Sequence, residues 1–567
     1  MFVPASFTVL SRRQSLIAWA VLAAVPVLYI AAQVVAASRN FVFWDEFDTA
    51  LALILRINAG ADWSELLQRF FAINNEHRMV TSRLLFAGSY WLTGTVNFHV
   101  IGALGNLFLV GACGMLVTSV QGWERRIRLG VVLAFLMFQL EHFENFLWSG
   151  ASIDHFQVVM LAVAAMVALV RGSRMACALA ILAGLLATFT LAHGCVVWPV
   201  GLAFLWSQRR WRHLAAWCVA GAAGMAAFLY GFELNTGHQI GDLTLQGAAH
   251  IGRYWLALLG GPLTLGNATL APLPGLLLLG GLVTLTWRGA GRREPVALFT
   301  ALFAVGALSL VAFGRSEIAG AEINSRYMVL GALAWAMVIY LALEQATQPG
   351  RPFRLLVYVL PALVGFNIAA NKKFAPLAEG FVEVRDRAVT RYKQYGEDGR
   401  GIAPLHPQKG HAEALLKLAA ERGVYQFPRV SLEKDFPEAT SSTRIIAYVD
   451  EVITNPRAVT LGGWGMIPGL ASKRGQVYVV LRSEKSFLIY STVTLQRPDV
   501  AKAYKEPSWR LCGFRAVVGR NRLPAEDFQV GVLIADGDEA EFIMTPTKLL
   551  LKSEDAAAAT ARLAGQD

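Results

Sequence analysis

The 567-residue chain predicts a mainly α polytopic membrane protein, with about eleven transmembrane helices followed by a C-terminal all-β sandwich. Three observations carry that expectation. Hydrophobic residues make up 55% of the chain and charged residues 16%, and the mean hydropathy is +0.45, too little charge to solvate a soluble protein of this size. Arginines recur in short clusters between apolar runs, at Arg125/Arg126/Arg128, Arg171/Arg174, Arg209/Arg210/Arg212, Arg288/Arg292/Arg293 and Arg351/Arg354. From Arg444 onward the apolar runs shorten to strand length, rich in Val, Ile, Tyr and Phe and punctuated by Gly, Pro, Asn and Asp.

Taken in order, Arg12 and Arg13 precede an apolar run from Ser15 to Ala37, long enough for a hydrocarbon core of roughly 30 Å. It is also too long for the h-region of a cleaved signal peptide, which favours a retained anchor. If every basic cluster is cytoplasmic, the crossings fall near 15–37, 96–120, 129–141, 153–170, 175–192, 195–207, 214–232, 269–287, 296–313, 327–345 and 355–370. The N-terminus then lies inside, and the loops 38–95, 141–154, 233–268 and 314–326 face outward. Residues 1–373 form the membrane domain, 374–440 a helical and loop connector with a short helix over His411–Glu421, 441–552 the outward-facing sandwich, and 553–567 a tail. Strands are expected at 445–449, 477–481, 487–490, 514–518, 528–534 and 541–544. The net charge of +11 is spent on the topology clusters, which argues against nucleic acid as a partner. The five cysteines have neither disulfide nor metal spacing.

Outward loops are where polar residues have no topological explanation. The first contains Phe43-Trp44-Asp45-Glu46-Phe47-Asp48, three carboxylates just past a span. They could simply cap the helix that follows, but carboxylates at a membrane cavity are costly unless used. The same loop holds Asn75-Glu76-His77-Arg78, which puts a base, an acid and an anion-binding residue within one excursion. Glu141 and Glu144, three apart and so on one helical face, form a second acidic loop. Arg315, Arg326 and Tyr327 flank a later loop that also contains Glu317 and Glu322. Arginines there could snorkel to headgroups, or present planar forks to phosphate oxygens; the neighbouring acids favour the second use. His142, His155 and His193 are read as packing residues, with no metal assigned to them.

An acidic motif after the first span, a second acidic loop, many spans and a soluble domain after the last resemble the GT-C superfamily of integral-membrane glycosyltransferases, over the architecture of about the first 370 residues. In this chain Glu141 and Glu144 stand where an aspartate pair is usual. The resemblance implies an inverting transfer of a sugar from a polyprenyl-phosphate donor, with a loop-one carboxylate (Asp45 or Glu46, with Asp48 as a further candidate) as general base. Glu76, His77, Arg78, Glu141, Glu144, Arg315, Arg326 and Tyr327 would then bind substrate. The acceptor would be a cell-envelope glycan or a lipid-linked saccharide at the periplasmic face of a bacterial inner membrane. No cofactor is expected, and a divalent cation stays open. The rival readings are a non-catalytic polysaccharide transport or polymer-handling membrane protein, and an O-antigen polymerase or ligase. What separates them is whether Asp45, Arg315 and Arg326 converge on one cavity.

Overall fold

The computed structural model describes residues 12–232, 244–316, 323–347, 353–395, 402, 404–426, 440–455, 458–470, 476–520, 523–536 and 539–551. Glu317, Glu322 and the tail 553–567 lie outside the described residues. The chain divides into two compact units, one of residues 1–383 and 415–426, the other of 384–414 and 427–567.

The first unit is helical, and it is a membrane protein's. Seven of its described helices are long and apolar enough to cross a bilayer: Gln14–Ala37, Phe98–Ser119, Ser149–Arg171, Trp211–Leu229, Pro295–Arg315, Ser325–Ala346 and Arg354–Asp386. Arg174–Thr188, Ala192–Ser207 and Pro272–Trp287 are shorter apolar helices. Their outer faces expose Leu28, Val35, Leu107, Leu182, Val219, Leu276, Leu277 and Val283, side chains that lipid would cover and water would not favour. The Pro295–Arg315 and Ser325–Ala346 helices are the most enclosed and supply much of a core that includes Phe303, Leu308, Leu330 and Tyr340. On the basic-cluster side, Arg125 pairs with Glu294 at 3.0 Å and Glu344 at 3.2 Å, and buried Arg128 meets Glu344 at 2.6 Å. Three helices are joined there by full ionic pairing, the condition under which buried charge is tolerated.

Some expected boundaries move. The helix expected over 129–141 is displaced: it spans Trp123–Met137, beginning among the arginines and ending before a tight turn at Leu140–His142. Within the expected 233–268 loop, Leu245–Gly260 is a helix capped by Thr244, whose hydroxyl accepts from Gly247 N–H. The change of composition near residue 373 does not end a helix, because Arg354–Tyr395 runs through it. Residues 415–426 belong to the first unit: Tyr425 Oη donates to Asn40 O at 2.7 Å, and Val96 N–H to Val424 O at 2.8 Å.

Among the described residues, wide π-helical turns occur at two places, Phe47–Leu51 and Ser152–Phe156. The second opens where the Phe98–Ser119 helix crosses it at Gly105; a Cβ there would lie 2.3 Å from Ser152 Cβ and 2.8 Å from Ile153 N. Only a glycine allows this approach.

The second unit holds β1 (Thr440–Ser441), β2 (Ile446–Thr454), β3 (Ala458–Met466), β4 (Gln476–Arg482), β5 (Phe487–Ser491), β6 (Val493–Leu495), β7 (Gly513–Gly519), β8 (Asp527–Asp536) and β9 (Glu539–Leu550). One sheet has the order β1-β9-β8-β4-β5 and the other β2-β3-β7-β6, with β1–β9 the parallel pair. Val459, Leu461 and Phe514 from one sheet share a core with Val479, Val530 and Val532 from the other. The sequence reading omits β3, whose Gly462, Gly463 and Gly465 mask its strand pattern. Gly462 and Gly463 face a bulge in β2 between Val449 and Glu451, and a Cβ on Gly463 would lie 2.2 Å from Tyr448 O. Trp464 and Trp509 pack with Met466, Val500 and Cys512, and Tyr504 lies between the two indoles.

Gly105→Val is expected to lower the stability of the purified full-length protein by about 1–3 kcal/mol, as overpacking does. Gly114→Ala in the same helix meets nothing within 4 Å and serves as the matched control, with no loss expected. Equal melting temperatures for the two variants would contradict the close helix crossing.

Candidate functional site

A cavity of about 820 Å³, its open mouth included, lies within the first unit and is lined by Asp45, Glu76, His77, Trp148, Asp154, His155, His193, Arg315, Arg326 and Tyr327, among others. Each wall has a local cause. Asp45 sits between Trp44, held left-handed at φ 48°, and the Phe47–Leu51 π-turn. Its main-chain oxygen takes up the start of that turn, accepting from Thr49 N–H at 2.8 Å and Thr49 Oγ1 at 2.7 Å. Glu76 stands at the tip of a tight turn closed by reciprocal Asn74–His77 backbone bonds of 2.7 and 2.9 Å, with Asn75 left-handed at φ 51°. Asparagine tolerates that backbone better than most residues. Asp154 and His155 come from the second π-turn, and Arg315 and Arg326 end and begin the two central helices.

Within the cavity both arginines face carboxylates. Arg315 Nη2 contacts Glu76 Oε1, and His77 Nε2 is 3.4 Å from the same oxygen. Ala192 N–H donates to His77 Nδ1 at 3.1 Å, so a neutral His77 carries its proton on Nε2, toward Glu76. Burial holds His77 below the usual histidine range. Burial acts in the opposite sense on Glu76, but the charges of His77 and Arg315 outweigh it and keep that carboxyl below its ordinary value. The Arg326 guanidinium stacks over Trp148 at 5.1 Å, with Nε 3.8 Å from Glu144 Oε2. Asp154 accepts from Ser82 Oγ, and His155 packs between His193 and Tyr327 at ring distances of 6.0 and 5.6 Å.

Asp45, Glu76, His77, Arg315, Arg326 and Tyr327 are therefore brought together, and the other candidates read from the sequence separate from them. Glu46 borders the cavity, but its carboxyl is committed elsewhere: Oε2 accepts from Phe43 N–H at 2.7 Å, and Oε1 from Gly150 N–H at 2.7 Å and from Ser149 Oγ. Asp48, one turn on, is exposed and off the cavity wall. Arg78 points away, its guanidinium donating to the carbonyls of Phe228 at 2.8 Å, Phe71 at 2.5 Å and Tyr230. Glu141 is fully buried beside Gln139, where burial raises its pKa well above the carboxylate range. Glu144 does not line the cavity but stands behind Arg326.

Asp154 and Trp148 line the cavity with no role assigned to them from the sequence, and His155 and His193, read there as packing residues, line it too. A carboxylate one residue beyond an apolar turn was the available signal for Asp154. Among the described residues, no three His, Cys, Asp or Glu side chains are arranged to hold a metal ion. Compared with family models, curated proteins and solved structures, the chain has no significant match.

Glu46 makes stability depend on pH. Burial raises it from 4.5 to about 8, against the donors from Ser149, Phe43 and Gly150. The folded state thus keeps a proton that the unfolded chain has already lost. Its support for folding is complete below about pH 4.5 and disappears as pH rises through about 8. Between these limits the melting temperature of the detergent-purified protein is expected to fall more steeply for wild type than for the uncharged Glu46→Gln; parallel slopes would rule this out.

Proposed function

We propose that the first unit is a glycosyltransferase of the GT-C kind, taking a sugar from a polyprenyl-phosphate donor. The single observation that carries this reading is the convergence of one committed-free carboxylate, Asp45, and two arginines, Arg315 and Arg326, on one cavity of a membrane protein. Sequence distance does not explain that meeting, and glycosyl transfer from a phosphate needs those groups.

In the proposed reaction the acceptor hydroxyl gives its proton to Asp45 as its oxygen attacks the anomeric carbon. The bond from that carbon to the phosphate oxygen breaks, and the electron pair leaves with the lipid phosphate. Asp45 ends protonated, and the phosphate gains the negative charge. Arg315 and Arg326 face that growing charge with pre-positioned forks. Attack from the face opposite the phosphate inverts the anomeric centre. Arg326, held over Trp148, is the more fixed of the two arginines. The acceptor is proposed to be a cell-envelope glycan or lipid-linked saccharide, the membrane a bacterial inner membrane, and the cavity periplasmic.

Full-length protein in vesicles, supplied with a panel of polyprenyl-phosphate hexoses and pentoses, is expected to transfer or slowly hydrolyse at least one. Asp45→Asn should reduce that turnover by ~10²–10⁴-fold. Arg315→Lys and Arg326→Lys keep charge but lose the planar fork, and at least one should weaken donor use. No turnover with any donor, or full activity in Asp45→Asn, would defeat the proposal. The orientation has its own measurement: an export-dependent reporter fused at the C-terminus should be active, and one fused after Arg293 inactive.

A further inference from the structure

Both arginines of the cavity already face a carboxylate. For Arg326 the partner is Glu144, at 3.8 Å, too long for a hydrogen bond. For Arg315 it is Glu76, in direct contact. That pair is not sealed away: the Arg315 side chain is 23% exposed and that of Glu76 35%, and both line the cavity. Glu76 also approaches His77 Nε2, whose other ring nitrogen is fixed by Ala192 N–H. The carboxylate is therefore delivered to Arg315 from a turn closed by reciprocal backbone bonds.

A guanidinium edge that accepts a carboxylate accepts two phosphate oxygens equally well. Carboxylate and phosphate are thus rival ligands for the same edge of Arg315. Their rivalry is unequal across the proposed reaction. A lipid-phosphate sugar is a diester with one negative charge, whereas the lipid monophosphate left after transfer carries between one and two. The product would hold the arginines harder than the substrate does, and a site with nothing to oppose it would release product slowly. An empty cavity without Glu76 would also leave the half-buried guanidinium without its direct carboxylate contact, a costly loss.

We propose that Glu76 is a built-in counter-anion, which holds Arg315 when the cavity is empty and competes with the lipid phosphate for it, so that product leaves. The inference rests on the glycosyltransferase reading for the identity of the phosphate. Glu76 is here a positioning residue: it touches the arginine and not the reacting atoms.

The test is binding of polyprenyl phosphate to full-length protein in lipid nanodiscs, for wild type, Glu76→Gln, Glu76→Asp, Arg315→Lys and the double variant Glu76→Gln/Arg315→Lys. Glu76→Gln is expected to tighten binding on the order of tenfold at low salt, with the gain shrinking as ionic strength rises. Arg315→Lys should weaken binding, and in the double variant the gain from Glu76→Gln should largely disappear, because the competitor and the contested edge are one unit. Wild-type affinity, or weaker, in Glu76→Gln would overturn the counter-anion while leaving the glycosyltransferase reading intact, provided wild type binds and Arg315→Lys binds less well. Binding by none of the proteins would overturn both. Should Glu76→Gln not fold, Glu76→Asp carries the test: its carboxylate falls short by one methylene, and an affinity no better than wild type would refute the proposal.

Discussion

The site depends on a carboxyl group that does not belong to it. Glu46 bonds Phe43 N–H in its own loop and, across the bundle, Gly150 N–H and Ser149 Oγ at the start of the Ser149–Arg171 helix. A helix N-terminus has backbone donors with no partner inside the helix, and here a residue 104 positions away supplies one. The bond fixes the loop after the first apolar helix to the helix that carries Asp154 and His155. Asp45 is the residue just before it, and it faces the cavity because Glu46 faces the helix. The aromatic contact of Phe43 with Trp148, at 4.9 Å, secures the same junction from the apolar side.

This arrangement explains how much of the site was legible in the sequence. That a carboxylate cluster follows the first long apolar helix is visible from position and charge alone. Which member faces the cavity is not, since consecutive residues in a helical turn point about 100° apart and only the packing partner says which one faces inward. The Glu76-His77-Arg78 run divides in the same way: two residues turn to the cavity and the third is held by carbonyls of Phe71, Phe228 and Tyr230. Glu141 and Glu144 do share a helical spacing, yet the chain tightens at Leu140–His142 and sends Glu141 into the interior. In the second unit the six expected strands are present because alternation and β-branched residues mark them, while β3 is concealed by the glycines that its bulged neighbour requires.

Composition was a poorer guide to boundaries than to class. Near residue 373 the chain becomes polar, but the helix from Arg354 to Tyr395 has 42 residues, at about 1.5 Å each far more than a hydrocarbon core of roughly 30 Å accommodates. The change of composition there falls within one continuous helix and marks no helix end. Asn367 and Asn371 lie near that transition, and both are satisfied: Asn367 Nδ2 donates to Phe135 O and Phe138 O, and Leu140 N–H donates to Asn371 Oδ1. These bonds close the carbonyls and amide left open where the Trp123–Met137 helix stops.

The two π-turns make the cavity sensitive to chain length. A π-turn contains one residue more than the α-helical turn it replaces, so removing a single residue from Ser152–Phe156 would let the helix close into regular α geometry. Everything on the N-terminal side of the deletion would then rotate by about 100° and retreat by about 1.5 Å relative to the helix beyond it. Ser149 and Gly150 would turn away from Glu46, although no side chain in the cavity had been altered. A register of this kind allows one insertion, fixed in a helix that could otherwise span a membrane unremarked, to convert a plain span into the wall of a binding site.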